Sequence, residues 1–87
     1  MSELRLLEFP TDYPIKVVGQ ASEGLRAQID AIVGKHVPDF DPSGTTERLS
    51  VNGRFVSLSY RIHAVSAAQV EALAAELRAS RSVLLLL

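Results

Sequence analysis

Lys16, Arg48, Arg61 and His63 fall at positions that a two-residue period places on one side of a sheet, together with Phe55 and Val18. A mildly basic surface with an aromatic in it suits contact with a protein or the stacking of RNA bases. A second set, Gly19, Gln20 and Ser22, occupies a turn between a strand and a helix. There the unpaired amides and positive dipole end of the helix suit a carboxylate or phosphate. The plain alternative is a tight turn followed by a serine N-cap. His36, Asp39 and Asp41 gather at a helix end and a proline-containing loop, without a recognised zinc spacing, and read as structural or solvated groups. No G-x-S-x-G elbow and no G-x-x-x-x-G-K loop occurs. The sequence therefore assigns no catalytic residue, no metal and no cofactor.

The RNA alternative meets a direct check in the sequence. Aligning Phe55-Val56 with the "FV" of the RNA-binding octamer sets Val51 where Lys or Arg belongs, Gly53 at the other stacking aromatic and Leu58 at the final one. Nine basic and ten acidic residues give a formal charge of −1, so the whole molecule offers nucleic acid or an anionic membrane no general attraction. Cysteine is absent, which excludes disulfides and thiolate metal sites. The first residues lack the basic start and apolar core of a signal peptide, and Val83 to Leu87 is too short to span a bilayer. The expectation is a cytoplasmic protein without membrane contact, of 87 residues in one domain. At that size folding buries only roughly 60 to 65 % of the unfolded chain's surface.

The elements that must position these residues are organised around Phe55 to His63. Val56, Leu58, Tyr60 and Ile62 point to one side, and Ser57, Ser59, Arg61 and His63 to the other. Residues 1–12 read as an extended or partly disordered arm, and 13–87 as the domain. Tyr13 to Gly19 is a strand with Ile15 and Val17 inward. Ser22 caps a helix to about His36, whose stripe is Leu25, Ile29, Ile32 and Val33. Gly24 in its first turn and Gly34 near its end each cost roughly 1 kcal/mol against Ala. Thr46 to Val51 is the next strand, joined to the central one by Asn52-Gly53 as a type I′ turn. That register sets Leu49 inward beside Val56, and sets Glu47 inward opposite Leu58, a conflict that asks for a bulge or an edge reaching water. Ser66 and Gln69 form a capping box ahead of the stripe Val70, Leu73, Ala74 and Leu77. Val83 to Leu87 closes the chain as a strand apolar on both sides.

Strand, helix, strand, strand, helix, strand is the ferredoxin-like split βαβ arrangement, an α+β fold. It implies a four-stranded antiparallel sheet in order 4-1-3-2 with two helices on one face. The last strand is then an edge whose outward leucines need cover, from Leu4, Leu6 and Leu7 of the arm or from another subunit.

Phe9-Pro10-Thr11-Asp12-Tyr13-Pro14-Ile15-Lys16-Val17-Val18-Gly19 resembles the opening of the YbeD-like family of small bacterial proteins. Gly53, Ser57-Leu58-Ser59 and Gln69-Val70-Glu71-Ala72-Leu73 with Glu76-Leu77 extend the resemblance over nearly the whole chain. The family is functionally uncharacterised, and its fold is similar to the ACT regulatory domains of amino-acid metabolic enzymes. In ACT domains the turn after the first strand helps to bind an effector between paired domains, and the resemblance assigns that turn here to Gly19, Gln20 and Ser22. Acylphosphatases share the fold with an arginine in this turn, but residues 19–24 contain none. The expected role is a non-enzymatic regulatory or adaptor domain for a protein partner or small metabolite, paired as a homodimer through its edge strand or sheet face. The alternative is an RNA-binding module using Lys16, Arg48, Phe55, Arg61 and His63.

Overall fold

The computed structural model describes residues 8–87. The expected arm lies mostly outside the described residues. Strand β1 (Thr11–Gln20) begins two residues ahead of the expected start, because Thr11 and Asp12 pair with Ala64 and His63. Helix α1 (Leu25–His36), β2 (Thr46–Leu49), β3 (Phe55–Ala64), α2 (Ala67–Ala79) and β4 (Val83–Leu86) follow. The sheet order is β2-β3-β1-β4 and every neighbouring pair is antiparallel, as the ferredoxin-like reading requires.

Alternation along the two central strands decides what is buried. Ile15 and Val17 of β1 and Val56, Leu58, Tyr60, Ile62 and Ala64 of β3 point one way, against Leu25, Ile29 and Val33 of α1 and Val70, Leu73 and Leu77 of α2. Both helices lie on that side. They are tied at their ends by polar bonds: the Glu76 carboxylate accepts from Lys35 at 3.0 Å and pairs with His36 Nε2 at 2.8 Å, and Gln69 Nε2 donates to the His36 carbonyl.

Helix α1 starts later than expected and for a different reason. Gly24 is its N-cap, with no side-chain cap, and Ser22 acts through its carbonyl, which accepts from the Leu25 amide at 3.4 Å. Gly24 therefore costs little, since glycine is nearly as good a cap as serine or threonine. The capping box of α2 forms by half. Ser66 Oγ accepts from the Gln69 amide, but Gln69 Oε1 reaches past Ser66 to the Val65 amide at 2.7 Å.

The β2–β3 register is the expected one, with Leu49 opposite Val56 and Glu47 opposite Leu58. Its turn is not type I′, which needs positive φ at both central residues. Only Gly53 has it, at φ 72°, among the described residues. Asn52 contributes through its side chain instead, Oδ1 accepting from the Arg54 amide and from Ser50 Oγ. Leu49 points inward but is 60 % exposed, a correction to its expected burial, because β2 is the outermost strand of that side. Glu47 resolves its conflict without a bulge: at the edge of the sheet its carboxylate accepts from Arg26 at 3.2 Å.

Candidate functional site

Gly19, Gln20 and Ser22 lie where β1 leaves the sheet. Gly19 is buried between two elements, and a Cβ there would stand 2.6 Å from the Ser82 carbonyl oxygen and 3.0 Å from Leu25 Cδ1. Its hydrogen atom is what lets β1, the lead-in to β4 and α1 close on one another. Gln20 and Ser22 are exposed. The cross-strand partner of Gln20 is Phe55, so the turn and the aromatic share one end of the sheet.

The open face carries Lys16, Arg48, Phe55, Arg61 and His63, all exposed, and the structure separates them into groups. Arg48 sits opposite Ser57, two residues from Phe55, beside Val18 and Gln20 across the sheet. Leu85, opposite Val18 and 50 % exposed, adds apolar surface to that end. Arg61 and His63 lie six and eight residues along β3 from Phe55, about 20 and 27 Å away at some 3.4 Å per residue. There Asp12 approaches His63 Nδ1 at 3.6 Å. Lys16, opposite Ser59, stands between the two groups.

Sequence reasoning missed two features. The first is a polar chain behind the sheet: the Tyr60 hydroxyl donates to Asp30 Oδ1 at 2.7 Å, and Arg26 Nε holds both oxygens of the same carboxylate at 2.9 and 3.0 Å. Burial, then the Asp30 hydrogen bond, raises the Tyr60 phenol well above its ordinary value, which keeps it a neutral donor to the carboxylate. Arg26 continues from Asp30 to Glu47 and to the Pro42 carbonyl, fixing α1 to the approach of β2. This chain braces the fold by joining α1, β3 and the approach of β2.

The second is a groove of about 560 Å³ beside β3, walled by the strand from Ser59 to His63 on one side and by the loop from Val37 to Gly44 on the other, and reaching over β3 to Asp12 and Pro14 of β1. Phe40 of that loop packs on Tyr60 with ring centroids 5.6 Å apart. Asp39 and Asp41 stand on its loop side, and the Asp41 carboxylate accepts from the Ser43 amide at 3.0 Å, which holds it below the usual carboxylate range. The sequence signal for the groove was the unequal length of the hairpin strands.

Comparison with solved structures confirms the fold. The ACT domain of the GTP pyrophosphokinase of Chlorobium tepidum superimposes in its solution structure with a TM-score of 0.66 over 87 % of this chain and 84 % of that one, at 18 % identity. The C-terminal domain of the MgtC protein of Mycobacterium tuberculosis gives 0.68 over 87 % and 82 %, also at 18 % identity. At those identities the likeness is one of fold. In sequence the chain is 38 % identical to the UPF0250 protein NE1487 of Nitrosomonas europaea over 84 % of each chain. It is 43 % identical to the UPF0250 protein of Shewanella woodyi over 90 % of this chain and 86 % of the relative. A family model described as a protein of unknown function, DUF493, matches residues 5–87, and with the fold and the relatives in agreement the chain belongs to this YbeD-like family.

Proposed function

We propose that this chain is a non-enzymatic regulatory or adaptor domain of the cytoplasm, working by binding. The observation that carries the reading is the end of the open face where Gln20, Arg48, Phe55, Val18 and Leu85 meet beside the β1–α1 turn. An exposed surface combining an aromatic, aliphatic side chains, a cation and a helix start is suited to recognition. A domain with such a surface acts by binding one arrangement of a partner better than another, which requires differential affinity and no catalytic group. In this reading Gly19 sets the shape of the turn, while Gln20 and Ser22 contact a small metabolite or a protein, and a second copy pairs through β4 or the sheet face.

The test is a screen of free amino acids and related metabolites by ligand-detected NMR and thermal shift, with sedimentation to report pairing. A ligand of this site shifts the Gln20 and Ser22 amides and loses at least tenfold in affinity in Gln20→Ala, an exposed position where the fold is untouched. No ligand, a monomer at high concentration and no co-purifying protein together remove the reading. Salt-sensitive RNA binding lost in Phe55→Ala would replace it.

A further inference from the structure

Strand β3 is ten residues long and β2 is four, and β2 begins opposite Ser59. The rest of β3 on that side has no strand beside it among the described residues, and the groove runs along this stretch. The Ser50 amide donates to the Phe55 carbonyl, which fixes which way each residue's backbone groups turn. In an antiparallel pair these alternate, so Phe55, Ser57 and Ser59 present theirs to β2 and the even-numbered residues present theirs to β1. Arg61 and His63 continue the odd series. Their amides and carbonyls therefore face the groove, and no hydrogen bond from the loop ends on them among the described residues.

A row of unpaired backbone donors and acceptors at strand spacing is complementary to another extended backbone. We propose that the groove binds an extended peptide segment of a partner protein, which adds to β3 antiparallel, in line with β2. This rests on the adaptor reading above and names the partner's chemistry. The segment's residue opposite Arg61 lies on the open face. Arg61 has no carboxylate within ion-pair distance among the described residues, so one acidic residue at that place meets its guanidinium, while Asp12, Asp39 and Asp41, which also line the groove, oppose any further negative charge in the segment. The residues opposite Ile62 and Ala64 turn to the other side, where the half-buried ring of Phe40 offers apolar contact, and are aliphatic. A small polar residue fits opposite His63, whose ring already has Asp12 near it. Backbone pairing supplies the affinity and the alternation of side chains the specificity.

The probe is acetyl-Val-Thr-Val-Glu-amide, titrated into the ¹⁵N-labelled chain. The expected result is saturable shifts centred on the Arg61 and His63 amides, with slower hydrogen exchange at both. Methylating the peptide nitrogen of the threonine or the glutamate, which face the edge, should weaken binding at least tenfold, whereas methylating that of the second valine, which faces away, should change it less than threefold. Arg61→Glu, an exposed position, should weaken this peptide and favour its lysine counterpart, acetyl-Val-Thr-Val-Lys-amide. Shifts confined to Phe55, Leu85 or Gln20, or equal sensitivity to methylation at every position, would overturn strand addition. So would Arg61 and His63 amides that become protected as the free protein is concentrated, because a second copy would then hold the edge. Peptide failure with metabolite binding intact at Gln20 and Ser22 overturns this inference alone, and loss of both removes the adaptor reading as well.

Discussion

The two faces of the sheet are made by alternate residues of the same two strands, yet they carry opposite chemistry. On one, Val17, Leu58 and Ile62 are almost wholly removed from water between α1 and α2. On the other, Lys16, Ser59, Arg61 and His63 meet solvent with no element across them among the described residues. The difference separates stability from recognition. Apolar burial stabilises by roughly 25 cal/mol per Å² and lies almost entirely on the helix side. Side chains on the open side are free to be chosen for a partner, since changing them costs the fold little.

The comparison is broken most severely at Leu58. Leu58→Ala should cost about 2 to 5 kcal/mol, the range for a leucine deleted from a packed core, measured by urea unfolding. Gly19→Ala should come next, at about 1 to 3 kcal/mol, because the added methyl collides with the Ser82 carbonyl and Leu25 and forces backbone to move. A neutral Gly19→Ala would show that the strand, the turn and β4 pack less closely than their geometry indicates. Since the glycine is also part of the proposed effector turn, a loss of ligand affinity there counts only if the variant is still folded.

Much of this was legible beforehand, and the reasons are physical. The period of two in Phe55 to His63 and the stripe Leu25, Ile29 and Val33 are consequences of backbone geometry, so they survived into the structure unchanged. The strand order followed from them. Details that depend on which of several polar groups reaches a given amide did not. Ser22 has both a hydroxyl and a carbonyl near the start of α1, and the carbonyl took the bond. Gln69 had two amides in reach and chose that of Val65. Inward Glu47 was correctly placed, but its partner Arg26 lies in another element, 21 residues away, where no local pattern could point to it. For the candidate site, alternation put all five open-face residues on one side, but distance along β3, invisible to a face assignment, splits them. The bare end of β3 was implicit in the register, since a strand starting at Thr46 can reach no further than Ser59.

A smaller effect sharpens the helix side of the comparison. Hydrogen bonds from His36, then from Lys35, hold the Glu76 carboxyl below its usual range. A depressed folded-state value means that the stabilisation is fully present above the ordinary carboxylate pKa and is lost as pH falls through the lower, folded one. Stability measured by denaturant midpoint should decline across that acidic window, and Glu76→Gln should flatten this part of the profile by lowering the neutral-pH value about as much as the wild type loses on acidification. An unchanged profile would mean that the bond between the helix ends contributes nothing in solution.

The smallest expected effect is the most discriminating. Ser59 neighbours Leu58 in sequence, pairs with Thr46 and Lys16 across the sheet, and is exposed on the open face. Ser59→Ala should cost under about 0.5 kcal/mol, as for other surface changes that leave no buried group unpaired. The contrast with Leu58→Ala is independent of how stable the whole chain is, because both are read against the same wild type. Comparable losses at the two positions would mean that the open face is covered in solution by something that packs on Ser59. Such cover would have to lie over the row of Lys16, Ser59 and Arg61, so the same measurement repeated across a range of protein concentrations tells a second copy from the chain itself.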